Sequence, residues 1–166
     1  MKRLAILALL PVFLVACAPA EEGQQAADAP RPGIQLDVTP PEPLAVPEAK
    51  EVASDTDWEA KAHNKNIEVV QVMNIINPVA AYIVKGFEGY GDRFSPTLQE
   101  EWADTQVQLT AATTLYGDCQ KRMEAGEYDK KLFLDLEEVL QLLVKTGVAG
   151  VRTKSMVDQE LARFSG

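Results

Sequence analysis

The sequence predicts an all-α domain, an antiparallel bundle of three or four helices over residues 56–166. Three observations lead there. Apolar residues recur at alternating spacings of four and three in three successive segments. Serine, proline, aspartate and glycine stand where such segments should start and stop. No stretch alternates with period two long enough to make a strand. About 110 residues suffice for one modest core.

The first helix is capped by Asp55, Thr56 or Asp57 and begins near Trp58. Its stripe runs Ala62, Asn66, Val69, Met73, Ile76, Ala80, Ile83, Phe87. Asn77-Pro78 interrupts it, and a kink or break is expected because proline lacks an N–H and opposes the carbonyl four residues back. The glycines at 86, 89 and 91 should end this helix.

Ser95-Pro96 starts the second helix, with serine as N-cap and proline at the first helical position. The stripe Leu98, Trp102, Thr105, Leu109, Ala112, Tyr116, Cys119, Met123 is unbroken, and Gly126 is the expected stop. Asp129 caps a third segment carrying Leu132, Leu136, Val139 and Leu143. Gly147 and Gly150 each weaken a helix by about 1 kcal/mol relative to alanine. Either the third helix bends there, or it stops and Thr153 or Ser155 starts a short fourth one with Val157, Leu161 and Phe164.

The front of the chain is organised differently, for eight of the ten prolines precede residue 48. Met1-Lys2-Arg3 is a short basic start, followed by the apolar run Leu4 to Ala16. Those 13 residues are too few to span a hydrocarbon core, which takes roughly 20. They read as a secretory signal peptide, residues 1–16, outside the fold. Leu14-Val15-Ala16-Cys17 resembles the lipobox of bacterial lipoproteins. The resemblance implies cleavage before Cys17 and acylation of its thiol and new amino terminus. Two or more acyl chains, each worth about 0.8 kcal/mol per buried methylene, anchor a protein durably. Ala18, rather than an aspartate, points by the same resemblance to the outer membrane.

Residues 17–55 are rich in proline, alanine, glutamate and glutamine, lack aromatics and carry −6. Such a segment buries too little apolar surface to offset the entropy of ordering it. It is expected to be a disordered, lipid-tipped linker with a coil reach of roughly 35 Å. Pro40-Pro41-Glu42-Pro43 is the alternative reading, a docking motif for a partner groove; a spacer is the simpler one.

Composition excludes several functions. A formal charge of −9, becoming −11 once Lys2 and Arg3 leave with the signal, offers no electrostatic footprint for nucleic acid. A single histidine, His63, has only Asn66 and Ile67 at helical reach, and no Glu-x-x-His pair exists for a bundle metal site. Carboxylates gather at Glu100, Glu101, Asp104 and at Asp135, Glu137, Glu138, as solvated faces and helix-dipole partners would. No nucleophile elbow, phosphate-cradling glycine loop or Cys-x-x-Cys occurs, so no enzyme, cofactor or metal is expected. Cys119 lies on the second stripe and reads as a buried thiol; a redox or dimerising residue is the alternative.

Aromatics are the more informative signal. Tyr82, Phe87, Tyr90, Phe94 and Trp102 surround the glycine-rich turn between the first two helices. Tyr90, Arg93 and Phe94 are therefore the candidate interaction residues, since aromatics and arginine on a rigidly held loop have the composition of a contact surface. The competing reading has Phe87, Phe94 and Trp102 closing one end of the core. The expected function is a lipid-anchored, non-catalytic interaction domain that binds an envelope protein. Assembly factors, pilot proteins, inhibitors and phage-encoded envelope lipoproteins fit that description. The alternative is a small-ligand or lipid-binding bundle in the periplasm, with an apolar pocket opened by the Pro78 kink.

Overall fold

The computed structural model describes residues 34–165. Cys17, the signal segment and the first part of the expected linker lie outside the described residues. Three helices pack against one another: α1 (Trp58–Tyr90), α2 (Pro96–Glu124) and α3 (Lys130–Ser165), with a 3-10 turn at Gly91–Arg93 between the first two. Among the described residues there is no strand. At 1.5 Å per residue the helices are about 50, 44 and 54 Å long. α3 is the element against which both others pack most extensively.

Each helix starts on a side-chain cap. Asp57 accepts the Ala60 N–H at 3.0 Å, and its second oxygen accepts from Ala53. Ser95 Oγ accepts the Leu98 N–H, with Pro96 in the first turn where its missing N–H costs nothing. Asp129 accepts the Leu132 N–H at 2.7 Å. Arg122 ties this corner together, reaching Asp129 at 2.8 Å and Asp135 at 3.1 Å. At the end of α2, Gly126 takes φ +75, a conformation that favours glycine. Its N–H donates to Met123 O and that of Glu127 to Arg122 O, a Schellman stop.

Two sequence signals for a break do not break the chain. α1 runs through Pro78, whose ring faces solvent, and α3 runs through Gly147 and Gly150. The glycines serve close approach instead. A Cβ on Gly147 would stand 3.3 Å from Ile76 Cγ1, and one on Gly150 would stand 3.6 Å from Val79 Cγ1. Gly86 does the same from α1, where a Cβ would meet Val157 Cγ1 at 3.0 Å. Packing between α1 and α3 outweighs the weak helix propensity at these positions.

The core has two parts. One joins Ala62, Val69 and Ile76 of α1 to Ala112, Tyr116 and Cys119 of α2 and to Leu132, Leu136, Val139 and Leu143 of α3. The other joins Ile83 to Leu98, Trp102, Val157 and Leu161, with Phe94 from the turn. Between them lie the buried threonines 105, 146 and 153, whose hydroxyls donate to carbonyls four residues earlier on their own helices.

The structure departs from the expected disordered linker over residues 34–53. This segment has no regular secondary structure and lies along α1 as a strap. Asn74 receives the Leu44 N–H on Oδ1 at 2.7 Å and donates Nδ2 to Leu44 O at 2.9 Å. Asn64 serves both backbone groups of Lys50 in the same way, each at 2.8 Å. Ile34 and Leu36 pack on the second core cluster and Leu44 on the first. Two side-chain amides thus satisfy the N–H and C=O of Leu44 and Lys50 in a proline-rich segment that has no ladder of its own.

Candidate functional site

The turn singled out from the sequence closes one end of the bundle. Phe94 is 3% exposed, its ring 5.0 Å edge-on from Phe87 and 5.9 Å in a stack with Phe164. Phe94 therefore belongs to the core and presents no surface. Tyr90 is half-buried, 6.2 Å from the Phe164 ring. Arg93 is exposed, but its guanidinium lies over the Phe164 ring at 4.2 Å. The residue that sequence reasoning overlooked is Phe164, which gathers all three. α3 brings it there from 70 positions away, and no local pattern announces that.

Three of the other candidates, His63, Glu101 and Asp135, have structural partners. His63 Nε2 lies 2.7 Å from Glu48 O in the strap. Glu101 pairs with Arg152 at 3.5 Å, and Asp135 accepts Lys131 at 2.6 Å as well as Arg122. Among the described residues, no three of the His, Cys, Asp and Glu side chains gather as metal ligands would. Cys119 is 1% exposed and unpaired, and burial pushes its thiol up to about 11. In that state it is a small apolar group, not a nucleophile.

The feature that stands out is an apolar cleft at the waist of the bundle. Its volume is about 430 Å³, and all three helices line it. Ile76, Val79 and Ile83 of α1, Trp102 and Leu109 of α2, and Leu143 and Gly147 of α3 form its depth. Small residues there, including Ala80, Thr105, Gly147 and Gly150, leave the space that larger side chains would fill. The rim is apolar too: Ile75 is 71% exposed, Val148 70%, Val151 61% and Val144 51%. No titratable side chain lines it, and the hydroxyls of Thr105 and Thr146 are already donated to their own helices.

The charge pattern isolates this waist. α1 carries no charged residue from 69 to 84, α2 none from 105 to 117, and α3 only Lys145 between 139 and 151. Ion pairs among the described residues fall to either side, such as Lys65–Glu68 and Lys121–Asp118 at one end and Lys85–Glu88 and Lys154–Asp158 at the other. Those three uncharged stretches were the available sequence signal. By length and composition the helical stretch Trp58–Arg93 is also apolar enough to cross a membrane; here its buried face, Val69, Ile76 and Ile83, belongs to the two core clusters. Tyr82, beside the cleft-lining Ile83, donates its hydroxyl to Asp158, and burial together with that bond raises it to about 12.

What the fold and the cleft define is an all-helical domain with a surface suited to apolar contact and without a chemical centre among its lining residues. No protein-family model matches the chain, and neither a curated protein nor a solved structure matches it.

Proposed function

We propose that this chain is a lipid-anchored cell-envelope protein, acylated at Cys17 and held at the outer membrane. In this reading its helices form an antiparallel, up-down-up bundle that acts as a non-catalytic interaction module for another envelope protein. The observation that carries it is the waist, charged only at Lys145, with its exposed rim of Ile75, Val144, Val148 and Val151. Solvated apolar side chains at 51–71% exposure, gathered around a half-open cleft, are the composition of a protein contact, and covering them strips no charge of its water. In this reading the contact lies at the waist; of Tyr90, Arg93 and Phe94, only Arg93 is exposed.

Photo-crosslinkers at Ile75 and Val148, compared with one at Glu124, test this in intact envelopes. A discrete crosslinked band from the first two positions and none from the third is expected. Equal labelling from all three would overturn it.

The cleft also favours a second reading, a small apolar ligand or lipid as occupant, because its volume lies within the roughly 300–1,000 Å³ of small-molecule sites. Native mass spectrometry of the gently extracted protein separates the two. A stoichiometric small-molecule adduct lost in Ile76→Trp, which fills the cleft, supports the ligand; adduct-free protein excludes it.

A further inference from the structure

The strap decides from which end of the bundle the N-terminal part of the chain departs. Ile34 N–H donates to Ser165 Oγ at 2.9 Å. Leu36 Cδ1 lies 3.5 Å from where a Cβ on Gly86 would stand. Leu44 then pairs with Asn74, and Lys50 with Asn64. As the strap ascends from 36 to 50, its partners on α1 descend from 86 to 64, so it runs antiparallel to the helix. The first described residue of the strap, Ile34, therefore sits beside the C-termini of α1 and α3 and the turn Gly91–Arg93, and the chain from Cys17 joins the strap at that end. Without the strap it would leave at Trp58, at the opposite end.

We infer that residues 34–53 are a latch that orients the domain at the membrane, with the Gly91–Arg93 end facing the bilayer and the Gly126 end facing away. This rests on the acylation of Cys17. Only 16 residues separate Cys17 from Ile34, and at about 3.5 Å per residue they span at most roughly 60 Å. From Cys17 to Trp58 the same limit is more than twice as long. As a coil of ~5–6 Å × √n the residues between Cys17 and Ile34 reach only roughly 20–25 Å, about half the ~44 Å length of α2, so on average the latched chain keeps the Gly126 end farther from the anchor. Charge agrees independently. Residues 48–68 and 118–138, at the Gly126 end, sum to −6, whereas 34–38, 85–104 and 152–163 sum to −3. The less acidic end is the one that an anionic lipid surface repels less.

The test uses the full acylated chain in vesicles of phosphatidylethanolamine and phosphatidylglycerol whose outer headgroups carry an energy acceptor. A donor is placed at Asp92→Cys or at Glu124→Cys, the buried Cys119 staying unlabelled. Transfer several-fold stronger from position 92 is expected, with the difference shrinking in the Asn64→Ala/Asn74→Ala double variant that frees the strap. Equal transfer from both positions in the otherwise unaltered chain, or stronger transfer from 124, overturns the latch. Intact-mass measurement keeps the two claims separate. A chain without acyl mass on Cys17 overturns the anchor and the orientation together, while an acylated chain with equal transfer overturns the orientation alone. Because the decisive comparison keeps both asparagines, it stands even where the double variant unfolds.

Discussion

Gly147 of α3 faces Ile76 of α1 so closely that a Cβ on the glycine would stand 3.3 Å from Ile76 Cγ1. A glycine that looks like a helix breaker in the sequence is the contact at which two long helices meet. It also borders the cleft, so the same small residue sets helix spacing and leaves the space beside it.

Gly147→Ala should therefore destabilise the fold. The roughly 1 kcal/mol that alanine normally gains over glycine in a helix is outweighed by overpacking, which costs about 1–3 kcal/mol. Gly89 and Gly117 have nothing within 4 Å of their would-be Cβ positions, and alanine at either should stabilise by about 0.5–1 kcal/mol. Urea midpoints of the three variants check the opposite signs.

Core and rim of the waist should separate cleanly in stability. Ile76→Ala removes a side chain that is 6% exposed and should cost about 2–4 kcal/mol. Ile75→Ser and Val148→Ser change side chains that are 71% and 70% exposed and should stay within about 0.5 kcal/mol of the original. Thermal melts measure both. A large loss at either rim position would show that the rim is part of the core.

The strap should be protected in solution. Leu44 and Lys50 N–H groups bonded to Asn74 and Asn64 exchange slowly in hydrogen–deuterium exchange, and Asn74→Ala speeds Leu44 by about tenfold, a loss of about 1.4 kcal/mol typical of a hydrogen bond. Helical amides distant from the strap should keep their protection. Exchange at Leu44 as fast as in an unfolded peptide, before any substitution, would remove the strap.

Stability should decline at both ends of the pH scale. Cys119 is pushed up to about 11, and Tyr116 and Tyr82 to about 12, chiefly by burial. Unfolding releases these protons at high pH, so this contribution is full below about pH 9 and is lost as pH rises through 9 to 12. Asp57 and Asp129 are held below the ordinary carboxylate value of 3.8 by backbone N–H donors, from Ala60 and Leu132 first. Their contribution is present above that value and is lost as pH falls below it. Denaturation midpoints against pH give both slopes. At pH 8 a thiol reagent should modify Cys119 only as fast as the fold opens.

The helices were legible because their signals are local. Ser95-Pro96, Gly126 and Asp129 act within four residues of themselves, and the stripes from Leu98 to Cys119 and from Leu132 to Leu143 repeat with the helical period. Pro78, Gly147 and Gly150 misled because the chance of a break depends on what lies across the interface, and only the packing of Ile76 and Val79 against α3 supplies that. The strap was hidden for the same reason. Its sequence has no period, and its bonds come from Asn64 and Asn74, ten residues apart on a helix that the strap does not resemble.

By itself the sequence determined the all-helical class, the starts of all three helices, the stop of α2 and the burial of Cys119. Each follows from dihedral preference, capping or periodic burial within a few residues. Only the tertiary structure decided that α3 is continuous, that Phe94 is core, that residues 34–53 lie on α1 and that an apolar cleft opens at the waist. Those outcomes depend on contacts between residues tens of positions apart, whose energies local sequence does not carry.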